Sequence, residues 1–190
     1  MNTNKQRIQR ITAIGLLSAM VIVLQFVSMA LRFSAFSITL TLIPIVVGAA
    51  LYGVGAGAWL GLIFGTAVLL TGDAAAFLVW NIPGTIITVL AKGILAGVAS
   101  GLVFKLLEKK NRYLAVIVSA VACPVVNTGI FLIGCLTFFL RAVRTMALAE
   151  GLPIFAYLIV GFVGLNFVFE LVTNIIVSPA ILRIINIRKK

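Results

Sequence analysis

A chain of 190 residues that is 63% hydrophobic and 10% charged, with a formal net charge of +11, has room for helices and short loops and little else. It has no glycine-lysine phosphate loop. The absence of histidine removes the commonest general base and the commonest zinc ligand. Six apolar runs, at 8–31, 38–52, 55–71, 84–106, 113–139 and 154–183, predict an all-α integral membrane bundle of six transmembrane helices, a single domain over 1–190.

The first run follows a basic amphipathic stub containing Lys5, Arg7 and Arg10, and it carries Gly15 and Ala19 four residues apart. Small residues at that spacing let a neighbouring backbone approach closely. The run is longer than the core of a secretory signal and no good cleavage site follows it, so it is read as a helix that stays. Arg32 to Ser37 form a short external loop. The second and third runs are short for a crossing and meet at a tight turn around Tyr52 and Gly53. Gly53, Gly57, Gly61 and Gly65 share one helix face, and Gly93, Gly97 and Gly101 repeat the device on the fourth helix; packing inside the bundle is the plainest use of both rows.

The segment 72–83 holds Asp73, Phe77, Trp80, Asn81 and Pro83. It is too apolar for a plain solvated linker and is expected to fold back onto the bundle as a lid, unless Trp80 simply marks the membrane interface. A last external loop at 140–153 carries Arg141, Arg144 and Glu150. Basic residues cluster before the first run, between the fourth and fifth (Lys105, Lys109, Lys110, Arg112) and after the sixth (Arg183, Arg188, Lys189, Lys190). That puts eleven of the fifteen on one face, which the positive-inside tendency makes cytoplasmic along with both termini. Topology and anionic lipid therefore account for the net charge, and nucleic acid is not an expected partner.

Polar side chains at bilayer depth are costly and tend to mark function. Lys92 lies in the fourth run, and Asn127 in the fifth, three residues after the helix-bending Pro124. Asn166, Glu170 and Asn174 recur every four residues along the sixth, on one face. Three helices thus bring donors, acceptors and both charge signs to one level. One account is a structural Lys92–Glu170 ion pair with interhelical amide bonds; the other is an outward-opening site for a polar solute. Cys123 and Cys135 lie on one helix about 18 Å apart, too far for a disulfide. No nucleophile–base pair, aspartate pair, metal set, cofactor motif or ion-filter sequence is evident, so the chain is not expected to be an enzyme or a simple channel.

Three stretches carry a family resemblance: Ile11 to Ala19, Phe36 to Gly53, and Gly57 to Gly65. In order and at full length they resemble the substrate-binding S-component of energy-coupling factor (ECF) vitamin importers, with Gly15 where alanine is more usual. The resemblance implies capture of a vitamin outside. Docking follows, through Gly15 and Ala19, onto a transmembrane coupling subunit (the T-component) powered by a pair of cytoplasmic ATPases, with 72–83 as gate. Thr71 to Phe77 and Cys123 to Phe131 look most like the pantothenate branch. That would place the vitamin's carboxylate with Lys92, Arg141 or Arg144 and its hydroxyls and amide with Asn127 and Asn166. Asp73, Trp80, Asn81 and Glu170 complete the expected substrate-binding set. Cobalamin or riboflavin S-components share the fold, although too few aromatics are expected at the site to stack a flavin. A proton-coupled secondary carrier using Glu170, or a scaffold protein, are the readings outside the family.

Overall fold

The computed structural model describes residues 3–30 and 40–188, which form helices and short connections only. The expected loop Arg32–Ser37 and the terminal Lys189 and Lys190 lie outside the described residues. Helix α1 (Thr3–Ala30) incorporates the basic stub. It is followed by α2 (Leu42–Tyr52), α3 (Val54–Leu70), a single turn α4 (Ala75–Leu78), α5 (Ile82–Leu107), α6 (Arg112–Thr137), α7 (Leu140–Ala149), a short α8 (Ile154–Tyr157) and α9 (Gly164–Arg188). Between α8 and α9 the backbone widens into a π-helical stretch, Leu158–Val163.

Length and apolarity make four helices able to cross a bilayer: α1, α5, α6 and α9. A fifth crossing appears if α7 and residues 154–160, bent by 92° at their break, count as one span. Helices α2 and α3, with 11 and 17 residues, measure about 16 and 25 Å against a hydrocarbon core of about 30 Å. The expected single helix over 154–183 is interrupted by the π stretch, and the expected loop 140–153 contains α7. In α7, Ala142, Val143 and Ala147 are apolar and buried while Arg141 and Arg144 are exposed; a loop reading based on the charges misses that amphipathic face.

Helix α2, short as it is, is largely enclosed. Leu42, Ile45 and Val46 are fully buried, and α2 touches α1, α3, α5, α6 and α9. It turns into α3 at Gly53, whose φ of +90° favours glycine. Helices α3 and α5 then pack backbone to backbone. A Cβ on Gly57 or Gly61 would strike the carbonyl of Gly97 or Gly93 respectively, and the reverse holds for each partner. The two glycine rows seen in the sequence therefore face each other. Deeper along α5, Ser100 and Ser119 Oγ lie 2.9 Å apart and tie α5 to α6.

Candidate substrate site

The inner stripe of α9 runs through Glu170, Asn174, Ser178, Ile181 and Ile185, all buried. Its apolar half lies toward the basic end of the bundle and its polar half away from it. Asn174 Nδ2 donates to the Glu170 carbonyl at 2.8 Å, and Ser178 Oγ donates to the Asn174 carbonyl at 2.8 Å. Asn174 Oδ1 is buried with no hydrogen-bond partner. Asn166 continues the row one turn farther from the basic end, half-buried.

Lys92 faces this stripe from α5. Its Nζ sits 5.6 Å from the ring centroid of Phe64 on α3 and 5.4 Å from that of Phe131 on α6, close enough for both ring faces to attract the cation. The charge of Glu170 reaches both Lys92 and Cys123, one turn before Asn127 on α6. Asn127 is buried and its Oδ1 has no hydrogen-bond partner; the same holds for Thr88 Oγ1, one turn from Lys92 on α5. Four helices thus surround one level with a cation between aromatic faces, a carboxylate and several carbonyl or hydroxyl acceptors. An anionic group could meet the cation, and hydroxyl or amide N–H groups could satisfy the acceptors.

The segment 72–83 folds onto the bundle. Phe77 is buried, edge-on to Phe131 at 5.5 Å and tilted against Phe139 at 4.9 Å. The ring that flanks Lys92 therefore also carries the loop. Asp73 is half-buried and accepts from Gln25 Nε2 at 3.4 Å; Gln25 Oε1 in turn accepts from Thr41 Oγ1 at 3.3 Å. Gln25 was open to discovery in the sequence, being an amide well inside the first apolar run, by the criterion that singles out Asn127.

The other expected site residues lie apart from this level. Asn81 Oδ1 caps α5 by accepting from Gly84 N at 2.9 Å. Asn81→Ala is expected to lower stability by about 1 kcal/mol, measured as a fall in the thermal midpoint in detergent, with ligand affinity little changed. Trp80 is exposed, as an interface residue is, and Arg141 and Arg144 sit on the outer face of α7. Of the candidate cations for a carboxylate, only Lys92 is drawn into the interior. The expectation of few aromatics at this depth is corrected: Phe64, Phe77 and Phe131 come from three separate segments and converge only in three dimensions. Among the described residues no three His, Cys, Asp or Glu side chains are grouped to hold a metal ion. Gly15 and Ala19 lie exposed on α1, and a Cβ on Gly15 would meet nothing within 4 Å.

A model of the ECF transporter substrate-specific component family matches residues 9–184, nearly the whole chain. The chain belongs to that family. No curated protein and no solved structure matches it. This S-component is a multi-pass membrane protein of a vitamin-uptake family that binds substrates for transport and does not transform them. Its interior polar level is the candidate for the cargo.

Proposed function

We propose that this S-component captures a small, anionic, water-soluble vitamin, pantothenate first among them, and delivers it to a coupling subunit driven by cytoplasmic ATPases. In this reading α2 and α3 count as short crossings and the segment from α8 through α9 as the last. The bundle then has six, with both termini and the basic clusters in the cytoplasm of a cell whose outer membrane face receives the vitamin. The observation that carries the reading is Lys92, held between Phe64 and Phe131 beside Glu170, under a loop anchored on the same Phe131. A carboxylate would meet Lys92, while Asn127, Asn166 and Asn174 would meet hydroxyls and the amide. Asp73 acts through Gln25 to hold the loop.

Mass spectrometry of small molecules retained by the purified protein tests this directly, followed by calorimetric titration with pantothenate in the absence of ATP. Tight binding of pantothenate supports the reading. Retention of riboflavin instead would favour the second reading, an S-component for a ring-bearing vitamin, which the aromatic walls of the site also suit. Uptake that survives loss of the ATPases but collapses with an uncoupler would point to a carrier using Glu170.

The open face of α1 at Gly15 and Ala19 suits docking by the coupling subunit. Gly15→Leu with Ala19→Leu is expected to leave vitamin affinity unchanged and to abolish cellular uptake. Loss of both, or of neither, would remove the docking assignment.

A further inference from the structure

A threonine or serine hydroxyl inside a membrane helix can donate to the carbonyl four residues earlier, which satisfies its proton without leaving the helix. Six here do so at 2.8–3.0 Å: Ser18, Thr66, Thr85, Thr137, Thr145 and Ser178. Thr88 does not. It is buried on α5 and its Oγ1 has no hydrogen-bond partner; among the described residues Ser28, near the end of α1, is the other such hydroxyl. Gly134 on α6 makes the placement possible. A Cβ there would run into both Cγ2 and Oγ1 of Thr88, so the threonine occupies the space that a side chain at 134 would take. A neighbouring Cα–H offers the oxygen at best a weak contact, and it offers the proton no acceptor.

Lys92 follows Thr88 by one turn on the same face of α5, and Phe131, whose ring flanks Lys92, precedes Gly134 by three residues on α6. The Thr88–Gly134 contact is therefore the next level along from Lys92, toward the 72–83 segment. We infer, resting on the anionic-vitamin reading above, that Thr88 is a specificity-determining contact whose hydroxyl donates to the cargo carboxylate beside Lys92. A carboxylate has about four acceptor positions against the three protons of an ammonium, so a second donor has a place. The unpartnered oxygens of Asn127 and Asn174 would repel that group, whereas Thr88 brings a proton still lacking an acceptor. Holding such a proton away from water costs the empty protein stability, and the bound carboxylate removes that cost.

The test is calorimetric titration of the full chain in detergent with pantothenate and with pantothenol, which carries an alcohol in place of the carboxylate. Thr88→Val keeps the shape and deletes the oxygen. It should weaken pantothenate about 20-fold, the usual size of one hydrogen bond to a charged group, and pantothenol at most about two-fold. Thr88→Ser, which keeps the hydroxyl, should recover most of the loss. Without ligand, Thr88→Val should melt a few degrees above the unaltered chain, because the unpaired proton is gone. Gly134→Ala displaces the hydroxyl from the other helix, should repeat the selective loss, and serves if Thr88→Val does not fold. Equal effects on the two ligands, no effect on either, or a lower midpoint for Thr88→Val would overturn the contact and leave the vitamin reading standing. Failure of the unaltered chain to bind pantothenate would overturn that reading and the contact with it.

Discussion

Gly61→Ala is expected to destabilise the bundle by about 3 kcal/mol, and Gly61→Leu to prevent its folding altogether. The added Cβ meets the Gly93 carbonyl and the following peptide nitrogen, Ile94 N, at 3.0 Å. These are backbone atoms of a helix, so no side chain can rotate away; relief requires α3 to back off from α5 along its length. Overpacking of a core usually costs about 1–3 kcal/mol, and a rigid partner puts this position at the top of that range. Gly55→Ala is the matched control, because a Cβ there meets nothing within 4 Å, and it should be neutral or slightly stabilising. Thermal unfolding of the two variants in detergent, followed by circular dichroism, checks the contrast. Equal midpoints would mean that the seam does not hold the bundle together.

Lys92→Met is expected to lower affinity for an anionic vitamin by about 100-fold, the weight of one charge-assisted hydrogen bond away from water. It should also destabilise the protein, because it removes a cation whose charge interacts with the buried Glu170. Glu170→Gln alone should weaken binding and stability for the mirrored reason. The double variant separates the two roles of the lysine. With both charges gone the fold should recover most of its stability, while affinity for the carboxylate stays lost. If the double variant binds as tightly as the unaltered chain, the pair is structural glue and the cargo lies elsewhere. Calorimetric titration and thermal midpoints on the same four proteins decide it.

Much of this arrangement was legible in the residues. The four-residue recurrence of Glu170 and Asn174 places them on one inner face, since a helix repeats at nearly that interval, and the glycine rows announced a close helix contact. What composition could not supply was which rows meet. That Gly57 faces Gly97, and not another small-residue stripe, depends on the turn at Gly53 and the direction of α5. The aromatic walls around Lys92 were hidden for a similar reason, because Phe64 and Phe131 are ordinary apolar residues until the bundle closes. Arg141 and Arg144 made residues 140–153 read as a loop, whereas the segment contains α7, which turns its alanine and valine side inward. Asn81 reads as a cargo contact from its place in the 72–83 segment, and its bond from Gly84 N, a helix cap, emerges only in the fold.

The stretch Leu158–Val163 carries five-residue hydrogen-bonded turns directly before the helix that bears Glu170. Such π-helical turns are rare and often mark functional positions, and a change in their winding would turn the helix that follows. The α3–α5 pair, locked rung against rung, has no comparable freedom. If Glu170 belongs to the cargo site, a change in this stretch would move its carboxylate relative to Lys92 on the locked α5. A nitroxide pair, one label on α9 and one on α5, should register that swing as a change in distance on vitamin addition, while labels on α3 and α5 keep theirs.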